Sequence, residues 1–247
     1  QSGAVGSSIL DLATNDGYGF SKFVSYGNAM NVDEADLIEY LGEDEKTKVI
    51  CAYIEGIKDG KKFLEVASKV SKKKPIIAIK GGKTAEGSKA AMSHTGAMAG
   101  SADVYTGVFK QAGVIEVESL EEMFETAKML EKSMKPEGKR VLVITNGGGY
   151  GILSTDAIIK NELEMAQLGR DSIKFAKKSL PRVQPHNPID LLGDANTEGY
   201  RSAIQMALDD PGVDIVLLIV LYQTPLVTTD VVDIIIEARD MKKKPIV

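Results

Sequence analysis

The sequence predicts an α/β fold built as two tandem copies of one unit, each with a mainly parallel sheet between helices. Three observations carry this. Runs rich in Val and Ile recur at residues 48–54, 75–79, 140–145 and 213–222; near-continuous apolar runs of that length suit strands covered on both faces. Helical patterns of about 10–15 residues alternate with them, as in βαβ units. Features of the first half also return, in order, in the second.

The elements follow in chain order. Gln1-Ser2-Gly3-Ala4-Val5-Gly6 reads as a glycine-rich turn entering a helix. A helix over 33–41 follows Asn31-Val32-Asp33-Glu34, which carries the spacing of a capping box. Helices are predicted over 61–72, ending in a basic turn, and over 120–134, where Leu120, Met123, Phe124, Ala127 and Leu130 recur at helical spacing. Lys135-Pro136-Glu137-Gly138-Lys139 then marks a boundary, dividing the chain into residues 1–136 and 137–247. Beyond it, Asn146-Gly147-Gly148-Gly149-Tyr150-Gly151 is a second glycine-rich turn into a helix, and further helices are predicted over 197–208 and 230–242. Lys244-Pro245-Ile246-Val247 reads as the start of another buried strand, so the chain is expected to be a piece of a longer one.

The repeat rests on three pairs: the two glycine turns, the asparagine-led loops Asn28-Ala29-Met30-Asn31 and Asn187-Pro188-Ile189-Asp190, and the lysine triplets before Pro-Ile at 72–74 and 242–244. Each copy, at roughly 110–140 residues, has the size of a flavodoxin-like domain. The lysine triplets read as helix C-terminal charges facing water, and Cys51, inside an apolar run, as a small core residue.

Composition narrows the function. Of 247 residues 43% are hydrophobic, enough for a core, and 30 Lys+Arg against 35 Asp+Glu leave a net charge of −5, which argues against nucleic acid or an anionic membrane as partner. No apolar run reaches the ~18–20 residues that span a bilayer. A single cysteine excludes a disulfide framework and a cysteine zinc site, and suits a cytoplasmic protein. Aromatics at 6%, with no Trp, disfavour stacking platforms and a flavin sandwich.

Two glycine turns at strand-to-helix junctions offer free N–H groups and the positive end of a helix dipole, which suits a phosphate. Neither matches the Walker pattern or a clean Gly-x-Gly-x-x-Gly. The loop from Gly81 to Gly100 leaves the carboxyl edge of the strand at 75–79, where α/β sheets place their ligands, and among its small residues stands one imidazole, His94, between Ser93 and Thr95. His94 lacks neighbours at metal-ligand spacing, and no Gly-x-Ser-x-Gly elbow is present, so no metal site or serine hydrolase is expected. General acid–base work or covalent catalysis by the imidazole remains. His186, in a proline-flanked loop, reads as structural or exposed.

Ser93-His94-Thr95-Gly96-Ala97-Met98-Ala99-Gly100, the turn Gln1–Gly6 and Tyr53-Ile54-Glu55-Gly56 together resemble the NDP-forming acyl-CoA synthetases, the superfamily of succinyl-CoA synthetase, in particular their ADP-forming acetyl-CoA synthetase branch. The segments 146–151 and Asn187-Pro188-Ile189-Asp190-Leu191-Leu192-Gly193 extend the similarity over essentially the whole chain. The resemblance implies two flavodoxin-like domains that follow a CoA-binding Rossmann domain and work with an ATP-grasp domain or subunit. It implies the reaction acyl-CoA + ADP + phosphate ⇌ acid + CoA + ATP, through an acyl phosphate and a phosphohistidine. His94 is then the nucleophile and Glu55 the carboxylate that orients its imidazole. Ser2, Gly3, Asn146, Gly147 and Gly148 cradle the phosphate at two helix N-termini, each contributing up to ~2 kcal/mol in a partly buried setting. Asn146 reads equally well as a residue that only shapes its turn.

Mg-ATP/ADP and CoA are expected in the full-length, oligomeric enzyme, with the Mg²⁺ held by the ATP-grasp part rather than by Asp190 or Asp194, and none of these ligands is expected on this fragment alone. The family's Ser before Gln-Ser-Gly, its CoA-binding domain and its ATP-grasp segment lie outside residues 1–247, so the piece is expected to be inactive by itself. The alternative reading is a regulatory ligand-binding module of an acetyltransferase fusion, against which the retention of His94 and Glu55 counts.

Overall fold

The computed structural model describes residues 1–27, 29–84, 86–87 and 101–247. The chain divides into two compact units, Gln1–Lys132 and Ser133–Val247. The first contains α1 (Gly3–Asn15), α2 (Glu34–Glu43), β1 (Ile50–Ile54), α3 (Gly60–Val70), β2 (Ile76–Lys80), α4 (Ala102–Ala112), β3 (Ile115–Glu116) and α5 (Leu120–Lys132). The second contains β4 (Arg140–Thr145), α6 (Gly148–Lys160), β5 (Glu164–Met165), α7 (Arg170–Ser179), β6 (Ile189–Asp190), α8 (Thr197–Asp209), β7 (Ile215–Ile219) and α9 (Asp230–Asp240). None of these helices is long and apolar enough to cross a membrane.

Both sheets are parallel. In the first, β2 lies between β1 and β3, with Ile50 opposite Ile76 and Ile54 opposite Lys80. In the second, β4 pairs with β5, β6 and β7, and Ile246 bridges to Val216, where the sequence predicts a further strand. The central strands are apolar throughout because both faces are covered. Ile76 and Ala78 pack with Phe63, Ala67 and Phe109 on one face of the first sheet, while Ile77 and Ile79 meet Val117 and Met123 on the other. The second sheet repeats the pattern: Leu142 and Ile144 join Tyr200 and Ile204, while Val141 and Val143 join Ile158. The α/β architecture with mainly parallel sheets agrees with expectation.

The internal repeat extends to single hydrogen bonds. Lys74 Nζ donates to the carbonyls of Leu41 and Asp44 at the end of α2, and Lys244 Nζ donates to those of Ala207 and Asp210 at the end of α8. Lys73 pairs with Glu43, the last residue of α2, as Lys243 pairs with Asp209, the last of α8. The third lysine of each triplet therefore does not face water as expected; its ammonium satisfies carbonyls left open by a helix C-terminus.

Two local expectations are also corrected. The capping box sits two residues beyond the Asn31–Glu34 spacing: Asp36 N donates to Asp33 Oδ1 at 2.9 Å and Asp33 N to Asp36 Oδ2 at 3.1 Å. Asn31 and Glu34 thus give way to a reciprocal pair of aspartates. Cys51 is exposed rather than a core residue. Among the described residues β1 pairs only with β2, and a cavity of about 670 Å³ runs along its other edge, walled by Val5, Ile9, Phe23, Val49, Cys51 and Tyr53. In the second unit the corresponding edge of β7 is taken by β4.

The sequence reading also lacks α4, β3, β5, β6 and α7, and for the last four the reasons are simple. Strands β3, β5 and β6 are two residues each, too short to show a period. Helix α7 offers only Ile173, Phe175 and Ala176 as apolar residues among ten.

Candidate active site

In the first unit three turns meet at the carboxyl edge of the sheet, the edge at which parallel α/β sheets present ligand-binding loops. They are the entry to α1, the turn 55–57 after β1, and Lys80-Gly81 after β2. Ser2 is the N-cap of α1: its hydroxyl accepts from Val5 N at 3.4 Å and its carbonyl from Gly6 N at 3.0 Å. Among the described residues no acceptor meets the N–H groups of Gly3 and Ala4. Among the described residues nothing stands within 4 Å of where a Cβ on Gly3 would lie, so they leave this helix mouth open.

Glu55 stands beside it. Its backbone N–H donates to Gln1 Oε1, which also accepts from Gly56 N at 2.9 Å, while Gln1 Nε2 donates to Gly56 O at 3.0 Å. The carbonyl of Glu55 accepts from Lys80 Nζ at 2.9 Å, and Ile57 N donates to the Tyr105 hydroxyl at 3.1 Å. Tyr53 approaches Gly81 so closely that a Cβ there would lie 2.6 Å from its hydroxyl. Desolvation pushes the Tyr53 phenol above its ordinary value, and the Glu55 carboxylate adds to that. Lys83, after Gly82, pairs with Glu116 at 2.8 Å and Glu118 at 2.7 Å. His94 lies outside the described residues.

The second unit builds a turn of the same kind by different means. Asn146, 3% exposed, holds the end of β7 with its carboxamide: Nδ2 donates to Leu221 O and Thr224 Oγ1 at 3.0 and 2.8 Å, and Oδ1 accepts from Leu221 N at 2.9 Å. Gln1 grips Gly56 in the same manner, so the two carboxamides are counterparts in the repeat. Thr145 Oγ1 accepts from Gly147 N at 3.0 Å. A Cβ on Gly147 would collide with Leu221, and one on Gly148 would lie 2.8 Å from Asp190 Oδ2. The mouth of α6 is thus crowded and faces a carboxylate, whereas the described residues leave that of α1 open. The sequence treated these turns alike; the structure does not.

Asn187, the other loop asparagine, ties strands together, donating to Val141 O and Ala166 O and accepting from Val143 N. His186 is exposed, in keeping with its reading as structural or exposed. Sequence reasoning brought out Ser2, Gly3 and Glu55, which the structure places together in one unit, and Asn146, Gly147 and Gly148, which it places together in the other. It missed Gln1, Lys80 and Tyr105 as the residues that hold the Glu55 turn. A lysine ending an otherwise apolar strand was the available signal for Lys80.

A parallel sheet with ligand-type turns at its carboxyl edge defines an α/β class, and comparison with known proteins identifies the family. The chain belongs to the succinyl-CoA ligase-like flavodoxin domain family, matched over residues 1–130, and its residues 141–246 match the ligase-CoA domain. Among individual proteins it is similar to acetate–CoA ligase [ADP-forming] II subunit alpha of Pyrococcus furiosus, 44% identical over 225 residues, covering 91% of this chain and 49% of that one. It is also 35% identical to the 4-hydroxybutyrate–CoA ligase [ADP-forming] of Nitrosopumilus maritimus, over 99% of this chain and 35% of that protein. A solved structure, the dinucleotide-forming acetyl-coenzyme A synthetase 1 of Ca. Korarchaeum cryptofilum in complex with phosphate and ADP, superposes with a TM-score of 0.91 at 38% identity, covering 100% of this chain and 54% of that one. The chain thus spans about half the length of the first of these relatives.

Proposed function

We propose that this chain is the phosphohistidine-bearing part of an ADP-forming acyl-CoA synthetase, acting in acyl-CoA + ADP + phosphate ⇌ acid + CoA + ATP. The observation that carries the reading is the Glu55 turn, held beside the open mouth of α1 at the carboxyl edge of the sheet. Phosphate displaces CoA from the acyl group to give an acyl phosphate. The His94 imidazole then attacks phosphorus, the P–O bond to the acyl oxygen breaks and the free acid leaves. ADP takes the phosphoryl group from the ring nitrogen, which regenerates neutral His94. Glu55 accepts a hydrogen bond from the other ring nitrogen, which fixes the tautomer and supports the positive charge that develops on the ring.

Ser2 and Gly3 supply the N-cap and an open helix mouth for the phosphoryl oxygens, where the helix dipole favours negative charge. Gly147 and Gly148 form the corresponding turn of the second unit, where Gly147 N donates to Thr145 Oγ1 and Gly148 faces Asp190, and Asn146, whose carboxamide is bonded within the protein, shapes that turn. CoA and Mg-nucleotide belong to the Rossmann and ATP-grasp parts of the full-length, cytoplasmic, oligomeric enzyme. The helix mouth that the described residues leave open supports a phosphate site there, and a solved relative is named as a complex with phosphate and ADP.

The test uses the full-length gene product with γ-labelled ATP and Mg²⁺, beside His94→Asn and Glu55→Gln variants. Acid-labile, base-stable label is expected on the wild type, none on His94→Asn, and labelling slowed by roughly 10²-fold or more in Glu55→Gln. A folded, ATP-binding wild type that takes no label would overturn the relay and favour a regulatory module.

A further inference from the structure

Lys80 ends a strand whose other residues are all apolar, and it is only 3% exposed. A buried ammonium is costly unless its protons find acceptors. Here they find backbone: Lys80 Nζ donates to Glu55 O at 2.9 Å and to Gly81 O, and the Tyr105 ring lies beneath it with its centroid at 4.6 Å. Tyr105, itself buried on α4, uses its hydroxyl to accept from Ile57 N. With Gln1 on the N–H groups of Glu55 and Gly56 and on the carbonyl of Gly56, side chains hold five consecutive backbone polar groups of the 55–57 turn. A turn that only connected a strand to a helix would leave such groups to water. Burial pushes the Lys80 ammonium below the ordinary lysine value, and the Glu55 and Glu116 carboxylates oppose this.

We propose that Lys80, backed by the Tyr105 ring, is the positioning residue of Glu55: it fixes the backbone from which the carboxylate projects. This rests on the reading of Glu55 as the partner of the His94 imidazole. Lys80 joins the two strand ends, so the site keeps its geometry through a contact that touches no substrate. Misplacing a reacting group by about 1 Å can cost roughly 10²-fold in rate.

The experiment is a double-variant cycle on the full-length enzyme, reading the rate of histidine labelling from γ-labelled ATP and the KM for nucleotide. Lys80→Met keeps the length and apolar volume of the stem while removing the charge and its hydrogen bonds. It is expected to slow labelling by roughly 10²-fold with KM within about twofold, the pattern of a lost transition-state interaction rather than lost binding. In a Glu55→Gln background the same substitution is expected to cost no more than about threefold, because residues that act through one another are not additive. Equal losses in both backgrounds, or an unchanged rate for folded Lys80→Met, would overturn the proposal. A Glu55→Gln enzyme that labels normally would overturn the reading of Glu55 and the proposal with it. If Lys80→Met does not fold, Lys80→Gln carries the cycle: it removes the charge but keeps a shorter side chain able to donate to one of the two carbonyls. A smaller loss, again absent in the Glu55→Gln background, is then expected, and an additive loss overturns the proposal.

Discussion

At Gly81 the absence of a side chain makes room for Tyr53, whose hydroxyl would stand 2.6 Å from a Cβ there. Gly81→Ala is therefore expected to push the phenol aside and destabilise the chain by about 1–3 kcal/mol, as overpacking does. Thermal unfolding checks this, and because the clash is with the hydroxyl, Tyr53→Phe in the same chain should recover most of the loss. An Ala variant as stable as the wild type would show that the ring moves without cost. Gly81 itself was legible as the start of a glycine-rich loop, but the tyrosine that requires it was not. Gln1 and Asn146 teach the same lesson: both open glycine turns in the sequence, yet their work is to grip a strand end far along the chain, at Gly56 and Leu221.

Among the elements, helix ends were less legible than helix interiors. Apolar spacing marked α5, α8 and α9 to within a few residues, because a helix that buries one face must repeat its apolar positions. The capping aspartates of α2 lay two residues beyond the pair that spacing suggested. The lysine triplets show what spacing misses, since the third member of each reaches back to the open carbonyls of a helix C-terminus, while the second pairs with the side chain of that helix's last residue. Lys74→Met and Lys244→Met are each expected to cost about 0.5–1.5 kcal/mol, the range for a hydrogen-bonded C-terminal cation. Lys72→Met should fall within about ±0.5 kcal/mol, as ordinary surface changes do. Equal effects for all three in thermal or urea unfolding would remove the capping role.

For the whole molecule, acid stability has a specific contributor in the second unit. Arg140 grips Asp214 through Nε at 2.8 Å and a terminal nitrogen at 2.7 Å, and its own backbone N donates to the same carboxylate at 2.9 Å. These bonds hold the Asp214 carboxyl at about 2, below the ordinary aspartate value. A carboxyl depressed in the folded state stabilises above its unfolded value, near 4, and that contribution fades as pH falls towards about 2. The wild-type midpoint should therefore drop across this window more steeply than that of Asp214→Asn, which is the less stable of the two at neutral pH. Parallel midpoint curves for the two proteins between pH 5 and pH 2, taken as about the range over which carboxylates protonate, would refute the assignment.

What the sequence determined by itself was the α/β order, the burial of the central strands, the repeat and the family. Each is written in patterns a few residues long: apolar runs, helical spacing, glycine turns and the Ser93-His94-Thr95-Gly96 motif. The tertiary structure alone decided that Cys51 lies on a strand edge that the described residues leave unpaired, that they leave the mouth of α1 clear while Asp190 and Leu221 crowd that of α6, and that Lys80 and Tyr105 hold the Glu55 turn. The physical reason is separation along the chain. Lys80 meets Glu55 across 25 residues, Tyr105 meets Ile57 across 48 and Asn146 meets Leu221 across 75. Only the folded sheet brings such partners to one edge.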